Sequence, residues 1–132
     1  MFEKIVMAID GSEPAKKAIP VAIDLASKSH GEVTVVHVHQ KELTSRESND
    51  VETLEEARML TRAAMDLVQQ GGVKATAELR PARFEDVARE IVAAADEHEA
   101  DTIVIGSSGH GLMSELLLGS VAHHHCPVVV AR

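Results

Sequence analysis

The sequence has few aromatic residues, and this scarcity excludes some kinds of binding surface. Of its 132 residues only two are aromatic, both phenylalanine, and there is no tryptophan or tyrosine. Proteins that hold single-stranded nucleic acid stack the bases on aromatic rings and need more of them. The chain has 13 lysines and arginines against 21 aspartates and glutamates. It therefore also lacks the excess of positive charge that nucleic acids and anionic membranes attract.

One cysteine and short apolar runs bear on where the protein works. Cys126 has no second cysteine to pair with, which fits a reducing compartment. No apolar run reaches the roughly 20 residues that cross a bilayer. The opening MFEKIVMAID passes directly into a strand-like run and does not resemble a signal peptide. We therefore expect a cytoplasmic protein without membrane or nucleic-acid partners, organised as one domain over residues 1–132.

Strand-like and helix-like segments alternate along the chain. Short apolar runs predict strands at residues 4–9, 33–38, 73–79, 102–105 and 127–131. Apolar residues at helical spacing predict helices with buried positions across residues 15–26, 54–68 and 84–95. The third strand alternates apolar and polar residues, which is typical of a strand nearer a sheet edge. This order predicts an α/β fold with an open, doubly wound sheet of parallel strands and right-handed crossovers.

A glycine-rich segment, GSSGHGLMSELLLGSV, follows the fourth predicted strand. Ligands of doubly wound sheets bind beyond the carboxyl ends of the strands, where the strand order reverses, which makes Asp10 and Gly106 the first candidates. Glycines allow a ligand to approach the main chain, and consecutive amides form anion-binding nests. A helix that begins after Gly119-Ser120 would direct its free amides and the Ser120 hydroxyl at a phosphate. The alternatives are a glycine-rich turn with an ordinary helix cap and, for Asp10, hydrogen bonds to the first helix.

Neither of the two common nucleotide-binding motifs is present in the chain. The P-loop lysine is absent, and the glycine order is G-x-x-G-x-G after the fourth strand. With these residues the sequence resembles the universal stress protein family in its ATP-binding branch, which is marked by G-x2-G-x9-G-[ST]. Gly106, Gly109 and Gly119-Ser120 fit that spacing. The opening KIVMAIDGS, the pair His37-Val38, and the stretches LLLGSVA and CPVVV add to the resemblance.

The resemblance implies a Rossmann-like sheet of five parallel strands in the order 3-2-1-4-5, with helices on both faces. It also implies a homodimer that forms through the last strands, and an adenine-nucleotide site. The implied contacts lie at the ends of the first two strands and in the glycine-rich segment. They are Ala8, Ile9 and Asp10 around adenine and ribose, Val38 against adenine, Gly106, Gly109, His110 and Gly111 around ribose and phosphates, and Gly119, Ser120 and Val121 around the phosphates.

Two features depart from the family pattern. Ser108 stands where the family often has arginine or histidine, so a charged neighbour of the phosphates is missing. Only residues 121–125 separate Gly119-Ser120 from Cys126, where the family has a longer helix. Five helical residues span about 7.5 Å, whereas a five-residue strand is roughly 16 Å long. Either the last crossover is extended and the fifth strand is shifted, or the sequence lacks residues at HHHCP, which we favour.

Two other groups of side chains were considered as sites. His123, His124, His125 and Cys126 resemble soft-metal ligands. Consecutive helical residues point about 100° apart and cannot converge on one ion, so no metal site is predicted. His37 is interpreted as a core or rim histidine. No lysine, arginine finger or base is identified that would act on a γ-phosphate, so no enzyme is predicted beyond slow ATP hydrolysis.

The sequence therefore predicts a cytoplasmic stress-response homodimer that senses an adenine nucleotide: ATP, ADP or AMP, with or without Mg²⁺. A nucleotide-free dimerisation or interaction module on the same fold is the alternative, and Ser108 and the short last crossover favour it. A third hypothesis is an adenylate-forming or nucleotidyl-transfer enzyme. It shares the α/β layout but has no HIGH-type histidine motif in this sequence to support it.

Overall fold

The structure is a computed structural model that describes residues 2–9, 14–40, 53–83, 86–106 and 127–131. Strands and helices alternate within these ranges, as the apolar periodicity predicts. The strands are β1 (Lys4–Ile9), β2 (Glu32–Gln40), β3 (Lys74–Ala82), β4 (Thr102–Gly106) and β5 (Val128–Ala131). The helices are α1 (Pro14–Ser29), α2 (Leu54–Gln70) and α3 (Val87–Glu97).

The five strands form one sheet in the order β3-β2-β1-β4-β5, and all neighbouring pairs are parallel. This confirms the predicted fold class and strand order. The chain proceeds from β1 to β2 and β3 on one side, and then continues with β4 and β5 on the other side. The strand order therefore reverses between β1 and β4.

Two apolar layers cover the two faces of the sheet. Alternate residues of the central strands point to opposite faces, so β1 and β4 are buried almost throughout. The layer under α3 contains Val6, Ala8, Val36, Val38, Ile103 and Ile105. The layer under α1 and α2 contains Ile5, Met7, Ile9, Val33, Val35 and Val104. Among the helices of the described ranges, none is long and apolar enough to cross a membrane.

An aspartate fixes the start of β1 against the start of β4. The Asp101 carboxylate accepts hydrogen bonds from the main-chain N–H groups of Phe2 at 3.1 Å, Glu3 at 3.0 Å and Lys4 at 3.2 Å. The Thr102 hydroxyl donates to the same carboxylate at 3.0 Å. Hydrogen bonds to a charged acceptor are stronger than neutral ones. These hydrogen bonds fix the start of β1 relative to β4, and with it the residues of the two strands that lie side by side.

The two outer strands differ from expectation in detail. β3 is the edge strand predicted by its alternation, but it extends to Ala82, three residues past the predicted end. Its Pro81 is tolerated because an edge strand has one side without a ladder partner. β5 is not shifted: it runs in register with β4 from Ile103 opposite Val128 to the last pair, Gly106 with Ala131. The residues 107–126 that connect β4 to β5 lie outside the described residues.

Candidate functional site

Four of the predicted contact residues lie at or near the carboxyl ends of the strands: Ala8, Ile9, Val38 and Gly106. Ala8 stands between Val36 of β2 and Ile105 of β4. Ile9 is the last residue of β1, and Gly106 is the last residue of β4. Since the strand order reverses between β1 and β4, these residues lie at the place where a doubly wound sheet offers a crevice to a ligand.

The α3 side of this edge is apolar. Ala8 is 1% exposed and Val38 is 2% exposed, and both belong to the layer that also contains Ala82 and Val87. On the α3 side, the residues at this end of the sheet are therefore apolar and packed against one another.

Ile9 faces the other side of the sheet. Its side chain belongs to the layer under α1 and α2 and is 3% exposed. Its neighbour in register is His37, whose side chain is completely buried, so the interpretation of His37 as a core histidine is confirmed. On the Ala8 side, Ile9 therefore presents its main chain and not its side chain.

Most of the residues predicted around the ribose and the phosphates lie outside the described residues: Asp10, Gly109, His110, Gly111, Gly119, Ser120 and Val121. Of the residues predicted around adenine, the structure describes Ala8, Ile9 and Val38, together with Gly106 at the start of the glycine-rich segment. No group of three or more metal-ligating side chains occurs in the part of the chain that the structure describes.

An arginine stands beside the apolar surface but is already engaged. Arg80 lies opposite Val38 in the β2–β3 register. Its Nη1 donates to Glu97 at 2.5 Å and to Glu78 at 2.7 Å, and its Nε donates to Glu90 at 3.1 Å. The hydrogen bond to Glu97 makes the largest contribution in raising the pKa of Arg80, and partial burial opposes it. This cation is held by three carboxylates and is not available to a phosphate.

Sequence reasoning did not place Ala82, Val87 or the Arg80 cluster near the site. Ala82 and Val87 join the apolar layer of Ala8 only because β3 pairs with β2 and α3 packs over the sheet. The acidic residues Glu90 and Glu97 are seven positions apart, so they share one face of α3. That spacing could have indicated an acidic face, but the strand residue it contacts depends on how α3 crosses the sheet.

The fold and the edge together define the class of this protein. It is a doubly wound α/β protein whose strand order reverses between β1 and β4, with apolar residues on the α3 side of that point. Ligands of such folds bind at the place of reversal. The model of the universal stress protein family matches residues 1–132. The chain belongs to the universal stress protein family.

Relatives along the whole chain support this assignment. The universal stress protein YxiE of Bacillus subtilis is 31% identical over 153 residues, with 100% of both chains covered. A universal stress protein of Methanocaldococcus jannaschii is 32% identical over 145 residues, which cover 100% of this chain and 83% of the relative. Both alignments are longer than the 132 residues of this chain, so the relatives contain residues that it lacks.

Solved structures share the fold. A universal stress protein from Burkholderia pseudomallei is 28% identical, with a TM-score of 0.77 over 98% of this chain and 95% of that one. The Archaeoglobus fulgidus universal stress protein in complex with dAMP is 23% identical, with a TM-score of 0.73 over 98% and 97%. An Arabidopsis thaliana family member with AMP bound is 19% identical, with a TM-score of 0.65 over 97% and 90%.

Proposed function

We propose that this protein binds an adenine nucleotide at the carboxyl edge of β1 and β4 and acts as a nucleotide sensor in the stress response. The observation that carries the proposal is the meeting of Ala8, Val38 and Gly106 at the point of strand reversal. The spacing of Gly106, Gly109 and Gly119-Ser120 supports it. So does the presence of dAMP or AMP in two structures of the same fold.

In this proposal the base and the phosphates are held by different means. Adenine rests on the apolar surface of Ala8 and Val38 and forms hydrogen bonds with the main chain at Ile9. Asp10 accepts from the ribose. The phosphates are bound by the amides of the glycine-rich segment and by the Ser120 hydroxyl, as main-chain nests bind anions. Because Ser108 supplies no charge, we expect little gain in affinity from AMP to ATP.

We further propose that the homodimer forms through β5. This strand is the second edge of the sheet and pairs with β4 on one side, and no described strand lies on the other side. Val129→Asp should shift the sedimentation coefficient from that of a dimer to that of a monomer. Thr76→Asp, at the β3 edge, should leave the dimer intact. A wild-type protein that sediments as a monomer at high concentration would contradict this part of the proposal.

The ultraviolet spectrum of freshly purified protein tests the nucleotide site. With two phenylalanines and no tryptophan or tyrosine, the protein hardly absorbs at long ultraviolet wavelengths, so a bound purine would dominate the spectrum. We expect chromatography of the denatured sample to release an adenine nucleotide in an amount close to that of the protein. The released compound identifies the ligand as ATP, ADP or AMP, and metal analysis of the same sample shows whether Mg²⁺ accompanies it.

A pair of glycine variants provides the control. Gly119→Val should lose the nucleotide and keep the circular dichroism of the folded sheet. Gly72→Ala lies in the turn before β3, where φ is +84° and no atom is within 4 Å of an added Cβ. It should lose some stability and keep the nucleotide. A purified protein without nucleotide that also ignores added ATP, ADP and AMP would instead indicate the nucleotide-free interaction module.

A further inference from the structure

The methionines of the chain differ widely in their exposure to solvent. The structure describes the surroundings of three of the five. Met7 of β1 is 0% exposed and belongs to the layer under α1 and α2. Met65 is half-buried and packs against the same layer, whereas Met59 is 66% exposed. Met59 and Met65 both belong to α2, so one helix carries an outer and an inner thioether.

Both methionines of α2 line one surface cavity. It encloses about 490 Å³ between α2 and β3, and its wall also contains Thr61, Ala77 and Leu79. Because Met59 is exposed, the cavity is open to solvent at α2. A water molecule takes up about 30 Å³ of liquid volume, so the cavity admits reagents of similar size. A small oxidant therefore reaches Met65 from the cavity, although this side chain packs against the sheet.

The thioether of methionine is oxidised by hydroperoxides. A sulfur lone pair attacks one peroxide oxygen, so that an S–O bond forms and the O–O bond breaks. The proton of the transferred oxygen moves to the other oxygen, which leaves as water or an alcohol. Sulfur loses two electrons, and the peroxide gains them. The product is methionine sulfoxide, which is polar where the thioether is apolar, and methionine sulfoxide reductases convert it back.

This change has different consequences at the two positions of α2. At Met59 the sulfoxide forms in solvent, where a polar group is hydrated. At Met65 it forms in the packing that joins α2 to the sheet, where a polar group costs stability unless it is hydrogen-bonded. Arg62 lies three residues from each methionine and lines the same cavity, so its N–H groups are near enough to donate to the sulfoxide oxygen. Oxidation of Met65 should therefore loosen α2 without unfolding the chain.

We propose that Met59 and Met65 form a reversible oxidation site for hydroperoxides on α2. Met59 is oxidised first and leaves the fold unchanged. Met65 is oxidised next, which weakens the contact between α2 and the sheet, and reduction of its sulfoxide restores that contact. The site lies on the α1 and α2 side of the sheet, whereas Ala8 and Val38 lie on the α3 side. It is therefore independent of the proposed nucleotide site.

Peptide mapping by mass spectrometry after treatment with hydrogen peroxide tests the order of oxidation. Sulfoxide should form at Met59 about tenfold faster than at Met65, because susceptibility follows exposure. Met7 should stay reduced as long as the protein is folded, since its oxidation requires the core to open. The same mapping reports on Met1 and Met113, which lie outside the described residues.

Thermal unfolding of the same samples, followed by circular dichroism, connects each sulfoxide with its effect on stability. Oxidation of Met59 alone should leave the midpoint within about 1 °C, whereas oxidation of Met65 should lower it by about 4 °C. Incubation with the two methionine sulfoxide reductases, one for each epimer of the sulfoxide, should return the midpoint to that of the untreated protein.

A pair of leucine variants assigns the loss of stability to one sulfur atom. Leucine keeps the apolar character and nearly the volume of methionine. Compared with its own untreated sample, Met65→Leu should keep its midpoint in peroxide. Met59→Leu is the matched control and should lose as much as the wild-type protein. Cys126 is present in both variants, so oxidation of its thiol cannot explain a difference between them.

Three outcomes would overturn the proposal. The first is a Met65 side chain that stays reduced in the folded protein, or that is oxidised before Met59 or no faster than Met7. The second is complete oxidation of Met65 without a change in the midpoint. The third is an equal loss of stability in Met65→Leu and Met59→Leu, which would place the sensitive group elsewhere in the chain. None of these readouts depends on whether a nucleotide is bound.

Discussion

The centre of the sheet and its β3 edge contain the same kind of strand in different surroundings. In β1 every residue after Lys4 is buried, and β4 is buried from Thr102 to Ile105. In β3 only Ala75 and Ala82 are buried. The central strands have a strand on each side and apolar layers on both faces, whereas β3 has one strand neighbour. The centre therefore carries the core and the proposed nucleotide site, while β3 is an end strand among the described strands.

Truncation of a large apolar side chain should show the largest difference in stability loss between the centre of the sheet and the β3 edge. Ile105 is 0% exposed, so Ile105→Ala should lower the free energy of unfolding by about 3–4 kcal/mol through lost burial and a cavity. Leu79→Ala, on the half-buried edge, should lower it by about 1 kcal/mol. Urea unfolding followed by circular dichroism measures both changes. Equal losses at the two positions would show that the centre and the edge do not differ in this way.

The hydrogen bonds to Asp101, which join the central strands β1 and β4, should make the next largest contribution to the free energy of unfolding. Asp101→Ala removes the acceptor of three main-chain N–H groups and should lower the free energy of unfolding by about 2–3 kcal/mol. Asp101→Asn keeps one oxygen acceptor and should lose less stability than Asp101→Ala. Thermal unfolding of the two variants provides the comparison. An Asn variant as unstable as the Ala variant would mean that these hydrogen bonds are not the source of the loss.

At the edge, Arg80 should stabilise the contact between β3 and α3 in a pH-dependent way. Removing one partner of a partly buried ion pair costs an amount of stability between the costs for exposed and for buried pairs. Arg80→Met should therefore lower the free energy of unfolding by about 2 kcal/mol at neutral pH. The hydrogen bond from Arg80 lowers the pKa of Glu97 below its ordinary value of 4.5. Stability that comes from a lowered carboxyl pKa is present at neutral pH and is lost as the pH falls through the lowered value.

The difference in the free energy of unfolding between the wild-type protein and Arg80→Met should therefore narrow as the pH falls below the ordinary carboxyl value of 4.5 and through the lowered pKa of Glu97. Denaturant titrations at neutral and acidic pH measure that difference. Arg80→Lys serves as a control, because a single ammonium cannot serve three carboxylates as the planar guanidinium does. It should lie between the wild-type protein and the Met variant. A difference that stays constant down to acidic pH would contradict the role given to the Glu97 carboxylate.

The smallest expected effect concerns the start of α2, beside the β3 edge. Thr53 Oγ1 accepts from the Glu56 N–H at 3.1 Å, and the Glu56 carboxylate accepts from the Thr53 N–H at 3.3 Å. Thr53→Ala should lower the free energy of unfolding by about 1 kcal/mol, whereas Thr53→Ser keeps the cap and should change it little. If the Ser variant loses as much stability as the Ala variant in thermal unfolding, the hydroxyl is not the stabilising group.

The pattern of apolar residues in the sequence predicts a strand best where both faces of that strand are buried. The predicted bounds of β1 agree with the structure, because its run of apolar residues begins and ends with the strand. The alternation of apolar and polar residues predicts an end of β3 at residue 79, whereas the strand extends to Ala82. The strand continues because Arg80 finds three carboxylates and Pro81 lies on an open edge.

The candidate site could be predicted only in part. The end of the fourth strand indicates Gly106, whereas Ala8, Ile9 and Val38 are implied by the family resemblance alone. The same evidence could not distinguish Ala8, which faces the α3 layer, from Ile9, which faces the α1 and α2 layer. Predictions for the dimer, the nucleotide and the residues of the glycine-rich segment remain to be tested by experiment.

By itself the sequence determined the alternation of strands and helices, the parallel sheet and the family, because these depend on periodicity and on motifs of fixed spacing. Only the tertiary structure decided which side chains share a face of the sheet. It also paired the Arg80 guanidinium with three carboxylates. It also decided that the third strand and not the second lies at the end of the sheet. Those properties depend on contacts between residues distant in the chain, such as Asp101 with Phe2 or Arg80 with Glu97. Such contacts form only when the packed sheet and helices bring these residues within bonding distance.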